Sequence, residues 1–169
     1  MNSFKEIKPE ELNKSPFHLI GTDWMLITAE KDNKVNTMTA SWGGLGVMWN
    51  KNVAYIAIRP HRYTKEFVDS ADTFSLTFFN ENFKKQLGYL GSVSGRDEDK
   101  ISKSDLTIIH TDNTPYYDEA NCALICKKLY AQDFASECFI VKEIDKENYP
   151  QKDYHTLYIA EVTKVLIKE

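Results

Sequence analysis

Short β-prone runs recur along most of this chain, and their spacing leaves room for little except tight turns and a few short helices. Residues 24–30 (WMLITAE) and 35–41 (VNTMTAS) flank Lys31-Asp32-Asn33-Lys34, which reads as a four-residue hairpin loop. Residues 53–58 and 73–79 read as further strands, because apolar and β-branched side chains dominate both. Three more candidates follow at 106–111, 122–130 and 155–166. In the last of these, Leu157, Ile159 and Val165 are expected to face inward, while Glu161 and Lys164 face water.

Helical signals are brief. Thr64 is placed to cap a helix running to Ser70, its hydroxyl taking an orphan N–H of the first turn. Asn80 is placed to cap another from Glu81 to about Gly88, with Phe83 and Leu87 one turn apart on its buried side. Asp97 is expected to start a third over residues 98–103. Many strands and few short helices point to a mainly β fold, an antiparallel barrel rather than βαβ repetition. Neither Gly-x-Gly-x-x-Gly nor Gly-x-x-x-x-Gly-Lys occurs, so no nucleotide fingerprint supports an α/β fold.

Length and charge narrow the function classes. No repeat or linker interrupts the 169 residues, so residues 1–169 are expected to form one domain. The net charge of −4 comes without a basic block, which disfavours nucleic-acid or anionic-membrane binding through bulk charge. No apolar run approaches the ~20 residues of a membrane span. The start, MNSFKEIKPEEL, lacks a signal-peptide core, so a cytoplasmic protein is expected. Cys122 and Cys126 stand four apart without paired histidines, poor spacing for zinc, and no metal is expected. With Cys138 they lie in apolar contexts (CALIC, ECFIV) and are expected to be inert core thiols. Trp24, Phe74, Phe78 and Tyr158 are likewise expected in the core.

Chemistry concentrates in residues 36–64, NTMTASWGGLGVMWNKNVAYIAIRPHRYT. A hydroxyl-rich turn (Thr37, Thr39, Ser41, Trp42) precedes a strand that is closed by Arg59, Arg62 and Thr64. Short hydroxyls, backbone N–H groups and guanidinium forks suit a bound phosphate. Arg62 supplies a bidentate donor, Thr64 a neutral one, and the first-turn amides behind them a partial positive charge. Lys100 can add a second cation, and His61 lies beside the same pocket. The plain alternative is that Arg59 or Arg62 pairs with Glu66 or Asp69 on the surface.

The blocks Asn36-Thr37-Met38-Thr39-Ala40-Ser41-Trp42-Gly43, Trp49-Asn50-Lys51-Asn52-Val53 and Arg59-Pro60-His61-Arg62-Tyr63-Thr64 resemble the flavin reductase-like, FMN-binding split-barrel family. Ser94-Gly95-Arg96-Asp97-Glu98-Asp99-Lys100, Leu129-Tyr130-Ala131-Gln132-Asp133 and Tyr149-Pro150 through Glu161 extend the likeness from about residue 17 to the C-terminus. The resemblance implies a split, Greek-key antiparallel barrel that binds FMN. It places the flavin phosphate near Arg59, Arg62, Tyr63, Thr64, Ser94 and Lys100. It places the isoalloxazine ring over Thr37, Thr39, Ala40, Ser41 and Trp42, with Trp42 or Trp49 stacking and Thr39 or Ser41 donating to N5. It also implies a homodimer in which Tyr116, Tyr117 or Trp49 reaches the other subunit's pocket.

Related short-chain flavin reductases carry Gly-Asp-His before the last long strand, where it helps seat nicotinamide. This chain has Lys152-Asp153-Tyr154-His155, so His155 aligns while Asp153 sits one residue early. The implied function is electron transfer from NADH or NADPH through flavin to free flavin, oxygen or ferric iron. The alternative is a flavoredoxin-like electron carrier reduced by a protein partner. A third is a ligand-binding barrel without redox chemistry.

Overall fold

The computed structural model describes residues 3–169, and ten strands form among them. They are β1 (Phe4–Ile7), β2 (Met25–Lys31), β3 (Lys34–Ala40), β4 (Gly43–Met48), β5 (Lys51–Ile58), β6 (Thr73–Phe78), β7 (Ile108–Thr111), β8 (Thr114–Tyr117), β9 (Cys122–Asp133) and β10 (Thr156–Lys168). The helices are short: α1 (Pro16–His18), α2 (Tyr63–Ser70), α3 (Lys84–Ser92) and α4 (Lys142–Asn148). Eight strands make one antiparallel sheet along the path β3-β2-β6-β9-β10-β5-β4, with β1 added to β10, while β7 and β8 form a separate hairpin.

The sheet closes on itself around one core. Ile27, Met38, Ile56, Phe74, Leu124 and Tyr158 come from six different strands and meet in a single apolar cluster. Fully burying a side chain such as Phe74 or Ile56 contributes about 1.5–3 kcal/mol. The two ends of the path, β3 and β4, do not pair with each other and are joined through Ser41 and Trp42. This is an antiparallel split barrel, and the split lies between those two strands.

The β2–β3 connection is tighter than the sequence suggests. Lys31 and Lys34 pair within the ladder, leaving a two-residue turn, Asp32-Asn33, with φ of 52° and 59°. Trp49-Asn50 (52°, 57°) and Asp112-Asn113 (47°, 59°) turn the other two hairpins in the same way. Positive φ at both central residues matches the right-handed twist of the strands, and Asn and Asp tolerate it.

Strand β4 carries no strand signal in its sequence, since three of its six residues are glycine. It forms because β5 supplies the ladder and Tyr55 the packing: a Cβ on Gly44 or Gly46 would lie 3.6 or 3.5 Å from the Tyr55 ring. Strands β1 and β8 and helix α4 are likewise unforeseen. In β10 the inward residues are Tyr158, Ala160, Val162 and Val165, not Leu157 and Ile159. The extra residue Thr163, between Val162 and Lys164, shifts the register of β10 and returns Val165 to the inner face. Glu161 and Lys164 point outward into ion pairs with Lys51 (2.9 Å) and Asp112 (2.7 Å).

Three local expectations are corrected. Thr64 does not cap α2: the turn from Arg59 O to Arg62 N starts the helix two residues earlier, with Arg62 at the N-cap, and Thr64 is buried inside it. Residues 98–103 form turns, because the Asp99 carboxylate accepts from Ser102 N (3.3 Å) and Oγ (2.6 Å) and competes with helix formation. Cys138 is exposed on a 3₁₀ turn outside the barrel, whereas Cys122 and Cys126 are buried and their thiols are pushed up by burial, Cys122 to about 12. Asn80 does start a helix, accepting from Asn82 N (3.1 Å), but helicity continues through α3 to Ser92. Phe74, Phe78 and Tyr158 are core residues, and Trp24 packs at the edge of a second cluster. None of the helices among the described residues is long and apolar enough to cross a membrane.

Gly43 opens β4 at φ +143°, and a Cβ there would stand 2.3 Å from the Tyr55 carbonyl oxygen. Gly43→Ala is expected to destabilise the protein by more than about 1 kcal/mol, read as a lower urea midpoint with an unchanged slope.

Candidate functional site

The split creates the site. A cavity of about 430 Å³ opens where β3 runs out, lined by Met38 through Trp42, Ala57, Arg59, His61, Arg62, Gly91 and His155. A smaller one of about 120 Å³ adjoins it, sharing Met38, His61 and Arg62 and adding Asn36, Tyr63, Thr64, the 92–95 loop and Lys100. One is the size of a small-molecule slot. The other is a polar end-pocket.

Two cations meet at the end-pocket. Lys100 is only 3% exposed, and its Nζ donates to the carbonyls of Leu90 (2.7 Å) and Val93 (2.8 Å). Arg62 Nη1 donates to Gly91 O at 3.1 Å. These acceptors lie in or just beyond the last turn of α3, where carbonyls lack intrahelical partners and the dipole is negative. That contact holds both side chains in place but leaves most of the guanidinium donors and one ammonium N–H over. Among the described residues neither cation has a carboxylate partner. Burial, with Arg62 beside it, lowers the Lys100 pKa to about 8, and burial lowers that of Arg62 as well. The end-pocket is therefore net positive.

The surrounding loop is built to keep this pocket open. Arg96 ion-pairs with Glu66, donates to His61 O (3.0 Å) and lies 4.6 Å over the Tyr63 ring. It thereby clamps the 94–97 loop onto the start of α2. Gly95 is required because a Cβ would sit 2.2 Å from Asn36 Oδ1. Asn36 in turn donates to Thr64 Oγ1 at 2.9 Å, fixing that hydroxyl in the pocket wall. The surface pairing imagined for Arg59 and Arg62 does not form: Glu66 is taken by Arg96 and Asp69 by Lys65.

Most of the residues expected at the site come together. Thr39, Ala40, Ser41, Trp42, Arg59, Arg62 and His155 line the larger cavity, while Tyr63, Thr64, Ser94 and Lys100 line the smaller. Thr37 is the exception: it is fully buried, bonded to Thr28 Oγ1 (2.9 Å) and Ile27 O (3.1 Å) and away from both cavities. Arg59 lies at the wall but its guanidinium is engaged, by Asp153 at 2.7 Å and by Asn148 O at 2.9 Å. Trp42, 48% exposed, is the aromatic at the slot, its ring 5.1 Å from that of His155. Trp49 sits on the β4–β5 turn near Tyr130 instead, and Tyr116 and Tyr117 are buried within their own chain.

Asn36, Met38 and Gly91 belong to the site and were not foreseen in it. Asn36, Met38 and Ala40 alternate along β3, a period-two signal that links them. Nothing local marks Gly91, where an added Cβ would stand 3.1 Å from Thr39 Cβ because α3 packs against β3.

Fold and cavities together define a split barrel whose flat slot ends in a cationic pocket. A profile of the flavin reductase like domain matches residues 17–169, and the chain belongs to that family. An uncharacterized protein of Archaeoglobus fulgidus is 25% identical over 134 residues, which is 78% of this chain; the chain spans 65% of that relative's length. Among solved structures, an FMN-binding domain of flavin reductases-like enzyme from Shewanella baltica superposes with a TM-score of 0.72 at 16% identity, covering 99% of this chain and 78% of that one. Flavoredoxin from Methanosarcina acetivorans gives 0.69 at 19% identity (98% and 76% covered). The FMN-binding protein from Thermus thermophilus with bound p-hydroxybenzaldehyde gives 0.69 at 22% (100% and 83%). At these identities the likeness carries the fold.

The lowered Lys100 pKa has a measurable consequence. Between about 8 and 10.5 the unfolded chain binds more protons than the folded one, so this group's contribution makes stability rise with pH across that window. The stability difference between wild type and Lys100→Met, followed by urea unfolding from pH 7 to 10.5, is expected to shift in favour of wild type as pH rises. Inorganic phosphate is expected to stabilise wild type at pH 7 and to lose that effect above about pH 8, as Lys100 deprotonates.

Proposed function

We propose that the protein binds FMN in the split and works as a flavin reductase-like oxidoreductase, taking electrons from NADH or NADPH. The observation that carries this reading is the pair of cations, half-buried Arg62 and buried Lys100, without a carboxylate partner among the described residues at the closed end of an aromatic-walled slot. Tyr63, Thr64 and Ser94 complete the phosphate pocket, and Thr39, Ala40, Ser41 and Trp42 flank the ring. FMN, when bound, supplies a hydride acceptor that returns electrons singly or in pairs to free flavin, oxygen or ferric iron. The chain itself supplies position and electrostatics: Trp42 offers a flat face, and the 39–42 turn offers backbone groups to a polar ring edge. Neutral His155, its pKa lowered to about 4 by burial and by Arg59, offers a ring nitrogen on the nicotinamide side. Belonging to the flavin reductase-like family supports the reading.

One observation favours a flavoredoxin-like carrier reduced by a protein partner. Asp153, which stands near the place of the aspartate in Gly-Asp-His, is held by Arg59 at 2.7 Å and is not free for a nucleotide. In either case we infer a cytoplasmic homodimer of a single domain spanning residues 1–169, with Trp42 and Trp49 among the exposed aromatics available to a second subunit.

One measurement tests the phosphate assignment that both readings share, and a second separates the readings. Arg62→Ala removes a charge-assisted hydrogen bond worth roughly 1.5–3 kcal/mol and is expected to weaken FMN binding about 10- to 150-fold, read by flavin fluorescence titration. Unchanged affinity defeats the phosphate assignment. For the FMN-loaded protein held anaerobically, rapid loss of oxidised-flavin absorbance on adding NADH or NADPH is the expected result; a yellow colour removed by dithionite alone means a carrier awaiting a protein partner.

A further inference from the structure

His155 is buried at the wall of the slot, and its protonation pattern is set by one neighbour. The ring Nδ1 lies 2.7 Å from the hydroxyl of Tyr149, in a T-shaped contact with ring centroids 5.6 Å apart. Nε2 has no partner among the described residues, and the ring packs against that of Trp42, centroids 5.1 Å apart, where both line the cavity. The backbone is held too: Phe134 N donates to His155 O at 2.9 Å.

A neutral histidine carries one ring proton, and two arrangements fit a 2.7 Å contact. If Nδ1 donated to Tyr149, the phenol proton would need another acceptor, and none is present for it among the described residues. A buried hydroxyl with an unused proton is costly. If Tyr149 donates to Nδ1, both groups are satisfied and the imidazole proton is left on Nε2. Tyr149 is held for this task, 4% exposed, with Arg59 lying 5.0 Å over its ring and Tyr154 packed 4.9 Å away. Arg59 is itself tied to Asp153 and to the carbonyl of Asn148, the residue before Tyr149.

We propose that Tyr149 is a positioning residue that donates to Nδ1 of His155, locks the Nε2–H tautomer and so presents a hydrogen-bond donor to whatever occupies the slot. The Arg59–Asp153 pair acts through it, steadying the tyrosine from above. A slot with a fixed N–H at this point selects ligands that carry an acceptor there, such as a carbonyl or amide oxygen. The tautomer follows from the pair's own geometry; its use toward a pyridine-nucleotide carboxamide rests on the function proposed above.

The test uses the full chain labelled with ¹⁵N-histidine, without flavin or nucleotide, at pH 7. Long-range ¹H–¹⁵N spectra are recorded, and His155 is assigned by its loss in His155→Gln. Wild type is expected to show a pyridine-like Nδ1 and a protonated Nε2, and Tyr149→Phe is expected to move both nitrogens toward the averaged shifts of a tautomer mixture. A protonated Nδ1 in wild type overturns the proposal without any variant. So does a folded Tyr149→Phe protein, checked by near-UV circular dichroism, whose His155 shifts match wild type. A failed bleaching assay with the expected spectra would remove the pyridine-nucleotide reading and leave the tautomer lock standing.

Discussion

Strand β10 holds the molecule together. It pairs with β9 on one side and with β5 and β1 on the other, so it joins the two halves of the sheet path. Backbone groups at a strand edge need partners, and winding the sheet around one core satisfies nearly all of them. The two ends that remain, β3 and β4, diverge at Ser41 and Trp42, and there the wall opens. The site occupies the one place where closing the ladder was given up. His155 enters it because it immediately precedes β10.

The electrostatics of the opening follow from a second constraint, the C-terminal end of α3. Its last carbonyls face the pocket and draw in Lys100 and Arg62, which neutralise them and fix their own positions. Carbonyl dipoles compensate a cation only partly, and the lowered pKa of Lys100 records the remaining cost. On the function proposed above, an anion relieves that cost, and the pocket is organised in advance for it. The opposite wall is arranged otherwise: Arg59 is paired with Asp153, bonded to Asn148 O and stacked over the Tyr149 ring.

Much of the barrel was legible in the chain. β2, β3, β5, β6, β9 and β10 announce themselves through β-branched and apolar runs, because each packs at least one face on the core and burial selects those residues. β4 was invisible because glycine has no side chain to report burial; Tyr55 across the ladder does the packing. The inward set of β10 was misjudged because a bulge changes the face without changing local composition. Thr37 reads like its neighbours Thr39 and Ser41 and shares the face of Thr39 on β3, yet it sits further along the ladder, where its cross-strand partner Thr28 takes its hydroxyl in the core.

The sequence by itself determined the antiparallel class, the segment holding the site and the residue types that make it cationic, since strand propensity, turn chemistry and charge are local properties. Tertiary structure alone decided which of those residues face one another. Lys100 reaches Leu90 and Val93, Asn36 reaches Thr64, and Tyr149 reaches His155 through packing. It also decided that Arg59 has a carboxylate partner while Arg62 does not, because Asp153 arrives beside Arg59 from a part of the chain 94 residues away. Partnership of that kind is set by how distant segments share a core, and no window of sequence contains it.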